Sequence, residues 1–157
     1  MEKERLAMNA NPLVEALRKL PHEFTKADIT GYVRDNGIRM VDFMYPGGDG
    51  RLKTLNFVVN DLAYLDTILT CGERVDGSNL FGFIEAGSSD LYVIPRFSTA
   101  FLSPFAESPT LCLLCSYFDK DGNPLASAPE QTLRKAVEAF RQTTGMDFEA
   151  MANWNTM

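Results

Sequence analysis

The chain has 157 residues, 45% of them hydrophobic, enough for one globular domain with a buried core. Fifteen basic against 21 acidic residues leave a formal charge of −6 with no basic run, which argues against gripping a phosphate backbone. No apolar stretch approaches the ~20 residues of a membrane span, and no apolar segment follows the charged start MEKERLAMNA, so no signal peptide is read.

In chain order, Asn11-Pro12 has the form of an N-cap followed by a proline in the first helical position, with Leu13, Leu17 and Leu20 at helical spacing until Pro21. This helix is expected to be short and peripheral. A better-marked helix starts at Thr25, an N-cap with Asp28 in the first turn. Phe24 and Ile29 stand in the positions of a hydrophobic staple. Ile29, Tyr32 and Val33 share a face, and Gly37 ends it.

The period then changes. Residues 38–45, IRMVDFMY, alternate Val41, Phe43 and Tyr45 on one side. PGGDG is a turn, and residues 51–59 return with Leu55, Phe57 and Val59 on one side, so a hairpin is predicted. NDLAYLDTIL predicts a short helix carrying Leu62, Leu65 and Leu69. Residues 91–95 and 110–118 read as strands, the second apolar enough for an interior position. The last helix has capping-box spacing at Ser127 and Glu130, with Pro129 in the first turn. Leu133, Val137 and Phe140 lie on one face, and Gly145 ends it. The order describes an α+β domain: a mixed sheet with a packed helix and peripheral helices.

Most candidate motifs have ordinary explanations. Cys112 and Cys115 form C-x-x-C inside a strand, where residues three apart point to opposite faces, so they are expected to be core side chains. Three cysteines in a chain of this length fit a reduced, cytoplasmic setting. DKDGN lacks the ligand spacing of a calcium loop and reads as a turn. GGDG lacks the lysine and helix of a phosphate loop. His22, the single histidine, is expected in solvent, and no metal site is predicted. There remains the long irregular stretch 71–95. Long loops are disproportionately functional, and its VDGSN leaves two readings open: an Asp-Gly turn, or Asp76 held out as a carboxylate for chemistry.

VDGSN, the Gly82-Phe83 pair, SSDLYVIP and TAFLSPFAESPTLCLLCSYFD resemble, in order, the N-terminal domain of glutamine synthetase. GIRMVDFMYPGGDG and DGNPLASAPEQTLRKA resemble the first strand with its turn and the closing stretch of that domain. The resemblance covers roughly residues 25–140. It implies a β-grasp-like domain over 25–145, an N-terminal helical extension over 1–24, and a tail over 146–157 where a catalytic domain would begin. It implies an enzyme that ligates ammonia to glutamate with ATP and Mg²⁺ or Mn²⁺, built as a homo-oligomeric ring. Asp76 would then bind ammonium and favour its deprotonation at the neighbouring subunit's active site. Gly77, Ser78 and Asn79 would complete the ammonium loop, and Phe83 would stand near the subunit junction. Asn79 departs from the family's second serine, and Arg96 stands where an acid is usual.

GMDFEAMANWNTM, after the closing helix, carries neither a metal-binding glutamate pair nor a nucleotide loop. The chain alone is therefore expected to be inactive, as a separately made domain or a truncated product. Two alternatives remain: a free-standing β-grasp interaction module without catalysis, and a domain of a related γ-glutamyl-amine ligase.

Overall fold

The computed structural model describes residues 6, 8–84 and 89–148. Residues Met1–Asn123 and Pro124–Met157 form two compact units. In the first unit, α1 (Pro12–Leu17) is followed by a 3-10 turn (Pro21–Glu23), α2 (Lys26–Asp35), β1 (Met40–Pro46), β2 (Leu52–Val58) and α3 (Leu62–Cys71). Then come β3 (Glu73–Asp76), the one-turn α4 (Gly77–Leu80), β4 (Asp90–Pro95), a 3-10 turn (Phe97–Thr99), β5 (Phe101–Leu102) and β6 (Thr110–Phe118). The second unit contains α5 (Pro129–Thr144).

Among the described residues the sheet has the order β2-β1-β6-β4-β3, with β5 also paired to β6. β1 and β6 run parallel, with Val41 opposite Leu111 and Phe43 opposite Leu113. The other pairings are antiparallel. This is the mixed α+β sheet that the sequence predicts. β6 is central because its run of apolar residues suits burial on both faces; Leu111, Leu113 and Tyr117 are fully buried.

The predicted alternation in β1 holds: Val41, Phe43 and Tyr45 are buried while Met40, Asp42 and Met44 are only partly covered. Phe57 meets the Phe43 ring edge-on with centroids 4.9 Å apart. Burying each such side chain is worth ~1.5–3 kcal/mol. α2 starts as the sequence indicates: Thr25 accepts from the Asp28 amide, and Asp28 accepts from the Thr25 amide. The staple residues Phe24 and Ile29 are both buried. α2 packs on α3, and α3 on β4.

Several expectations need correction. α1 is not peripheral: Leu13 and Val14 are completely buried, and the Asn11 side chain donates to the Ala100 carbonyl at 2.7 Å while capping the helix. The α3 face is Leu65, Ile68 and Leu69, whereas Leu62 is exposed. The stretch after Cys71 is not wholly irregular, since it contains β3 and α4. α5 is capped by Ala128, not by a Ser127 capping box. Pro129 fixes its own φ and pushes the preceding residue out of helical conformation, so the helix can begin only there. Gly145 ends it in the left-handed conformation, as expected. Within the second unit, Phe140 of α5 meets Phe148 edge-on at 5.6 Å.

The two strand cysteines do point apart. Cys112 lies opposite Asp42 in β1, and Cys115 lies on the Val41, Phe43 and Tyr117 side, opposite Pro95. Burial pushes the Cys115 thiol up to about 12 and that of Cys112 up to about 11, Asp42 adding to the latter. Cys71 is exposed. Thiolate is the reactive form, so alkylation of the native chain at mildly alkaline pH should label Cys71 first, and Cys112 and Cys115 only after unfolding. Three equally fast adducts by mass spectrometry would contradict this.

Candidate functional site

β3 is an edge strand of four residues, ERVD, with Val75 its one apolar side chain. It pairs with β4, placing Asp76 opposite Asp90. Two carboxylates face to face repel, and each is answered separately. Arg74 donates to Asp90 at 3.1 Å across the strands. Asp76 turns to its own loop, where it caps α4.

One Asp76 oxygen accepts from the Ser78 amide at 2.9 Å and the Ser78 hydroxyl at 2.7 Å. The other accepts from Asn79 Nδ2 at 2.7 Å. With the Ser78 hydroxyl contributing most, then Ser89 and the Ser78 amide, these bonds hold the Asp76 carboxyl below its ordinary value. Each favours the charged form. Asp76 is exposed, and no basic side chain among the described residues pairs with it. It is thus an ionised carboxylate on the surface, aimed by neutral donors. A cation arriving here must share these oxygens or displace the Asn79 amide, because a carboxylate has about four lone-pair positions.

The backbone around Asp76 is clamped from three directions. The Gly77 amide donates to the Ser89 carbonyl at 2.7 Å, joining the two ends of the loop. Gly77 allows that approach: a Cβ there would stand 2.9 Å from the Ser89 oxygen and 2.8 Å from Leu91. The Gly48 amide in the β1–β2 turn donates to the Leu80 carbonyl at 2.9 Å, and a Cβ on Gly48 would fall 2.5 Å from that oxygen. Phe81 then enters the core, buried to 3% exposure, and meets Tyr117 edge-on at 5.1 Å. The Tyr117 hydroxyl donates to the Pro46 carbonyl at 2.7 Å, tying β6 back to the same turn.

The expected loop residues therefore do come together: Asp76, Gly77, Ser78 and Asn79 form one hydrogen-bonded turn. Phe83 is 62% exposed and stacks on Phe81 with centroids 5.3 Å apart. Arg96 faces no acid among the described residues, and its Nε is buried without a hydrogen-bond partner. Sequence reasoning missed Gly48, Phe81 and Ser89. The PGGDG turn was legible as a turn, but nothing local shows that its amide supports a loop some thirty residues away. DKDGN is the expected turn, with Asp119 accepting from the Asp121 and Asn123 amides. His22 is exposed. Among the described residues no group of three or more His, Cys, Asp or Glu could hold a metal. No helix among them is long and apolar enough to cross a membrane.

The family model described as "Glutamine synthetase, beta-Grasp domain" matches residues 37–120. The 3-hydroxylaminophenol mutase of Cupriavidus pinatubonensis is 28% identical over 120 residues, covering 76% of this chain and 25% of that protein. The glutamine synthetase of Pseudomonas aeruginosa is 27% identical over 114 residues, covering 73% and 24%. The chain thus spans about a quarter of the length of these curated relatives. The solved Plasmodium falciparum glutamine synthetase has the same fold over 76% of this chain and 23% of its own, with a TM-score of 0.64 at 19% identity.

Proposed function

Since the chain belongs to the glutamine synthetase β-grasp domain family, we propose that it is the ammonium-loop domain of an enzyme that ligates ammonia to glutamate at the expense of ATP. In this reading the domain makes no chemistry alone. It delivers Asp76 to the active site of a neighbouring subunit in a homo-oligomer, in the cytoplasm. In this reading ATP and the divalent metal are held by the remainder of the enzyme. The observation that carries the reading is Asp76 itself: an exposed, ionised carboxylate fixed at the end of β3. Such a group attracts ammonium electrostatically. It can then take a proton, which frees the nitrogen lone pair for attack on an activated acyl group.

The test is a transplant. Residues 37–120 replace the corresponding segment of the Pseudomonas aeruginosa glutamine synthetase. The chimera should assemble and form glutamine with ammonium dependence, and Asp76→Asn in it should remove that activity while assembly persists. An assembled chimera whose activity is indifferent to Asp76 overturns the reading.

A second reading, an amine other than ammonia, has one observation in its favour. Asn79 places a bulky amide on the Asp76 oxygen that an ammonium ion would approach. The same chimera discriminates, by turnover of methylammonium against ammonium.

A further inference from the structure

The sheet face bearing Met40, Asp42 and Met44 carries a groove of about 800 Å³ that the Asp76 loop does not enter. This lies within the ~300–1,000 Å³ typical of small-molecule sites. Its walls come from β1, from β5 and the segment after it, and from the start of α1. Met44, Phe101, Leu102 and Phe105 are among its apolar lining residues, and Asp42 is the one charged side chain among them all. The register explains why these groups meet: Cys112 of β6 has Asp42 on one side and Phe101 on the other.

Among the described residues Asp42 has no cation partner. Its one hydrogen bond among the described residues comes from Asn56 Nδ2, at 2.8 Å to Oδ1, and no Lys or Arg among them pairs with it. The other oxygen accepts no hydrogen bond among the described residues. The adjoining Cys112 thiol is pushed up to about 11, first by burial and then by the Asp42 charge, so it stays neutral beneath the carboxylate. A lone negative charge against apolar walls selects an occupant with the complementary pair of features. A neutral apolar molecule leaves the charge unanswered, and an anion is repelled.

We infer that this groove binds small organic ammonium ions, with the cationic nitrogen on Asp42 and an apolar or aromatic body against Met44, Phe101 and Phe105. Phe105 is 95% exposed and so stands free to close over such a body. An aromatic face beside a cation adds attraction. This site is independent of the Asp76 reading and uses none of its residues.

The experiment titrates the full chain with phenethylammonium, with phenethyl alcohol of the same shape, and with phenylacetate, following backbone amide shifts. Phenethylammonium should give saturable shifts centred on Asp42, Met44 and Cys112. The alcohol should bind at least tenfold more weakly, and phenylacetate not at all. Asp42→Asn keeps an acceptor for Asn56, so it should melt as the parent does yet lose at least tenfold in affinity. Phe105→Ala, at an exposed position, should weaken binding severalfold with an unchanged melt. Equal affinity for the alcohol or the carboxylate, an Asp42→Asn variant that binds normally, or shifts that fail to saturate at millimolar concentrations would each overturn the inference.

Discussion

Asp76→Ala, placed in a full-length enzyme that carries this domain, should lower glutamine formation at limiting ammonium by about 10² to 10⁴, the usual worth of a positioned proton acceptor. The change removes the carboxylate that the Ser78 and Asn79 donors hold while leaving the strand pairing untouched, since Asp76 is exposed and ends an edge strand. Formation of the activated γ-glutamyl species should survive better, because on the proposed mechanism it precedes attack by ammonia. Asp76→Asn separates charge from shape. An Asn carbonyl still accepts from the Ser78 amide and hydroxyl, so the turn should persist, but it neither stabilises a cation nor takes a proton. Both variants should therefore lose ammonium-dependent rate alike, and the isolated domain carrying Asp76→Asn should melt close to the parent. If Asp76→Asn keeps full activity while Asp76→Ala loses it together with the domain's stability, Asp76 is a turn residue only.

The direction of the Asp76 shift bears on where this contribution is felt. Its carboxyl is held below the ordinary value by the Ser78, Ser89 and Asn79 donors. A lowered folded-state value stabilises the ionised loop above the unfolded value, and that support disappears as pH falls through the folded one. At neutral pH the loop is fully charged and fully bonded. Acid should loosen it in the parent, and Asp76→Asn should flatten that part of the stability profile.

Phe81→Ala should have the largest effect on the fold, costing ~3–5 kcal/mol as for other buried aromatic truncations. Phe81 is buried between the loop and Tyr117, and the exposed Phe83 rests on it. Removing the ring leaves a cavity beside Tyr117 and releases the segment that Leu80 fastens to Gly48. The consequence is a coupled one: a lower melting temperature of the domain, and faster hydrogen exchange at the Gly77 and Ser78 amides. Phe81→Leu, which fills much of the space, should recover most of both. If Phe81→Ala melts normally, or if exchange at Gly77 and Ser78 stays slow, the loop is not held from the core as described.

Short-range physics is what the amino-acid sequence determined by itself. The Thr25–Asp28 reciprocal cap, the Asn11 cap before Pro12, the alternation of Val41, Phe43 and Tyr45, and the limits of β6 all depend on residues a few positions apart. Spacing along one chain is enough to read them. The ordered motifs around Asp76 were legible as well, and with them the family. Tertiary structure alone decided the rest. β3 carries too little apolar surface to announce a strand, and exists because β4 offers it an edge. Periodicity marks an apolar face but not where the neighbouring surface ends, so Leu62 is exposed while Ile68 is buried. α1 looks marginal in sequence, yet Leu13 and Val14 are fully enclosed once the segment around Ala100 folds back to Asn11. The setting of Asp76 is the clearest case. Ser89 and Gly48 stand in motifs that were read, but nothing local links them to Asp76, and they reach the loop only because the sheet brings β4 and the hairpin turn alongside it.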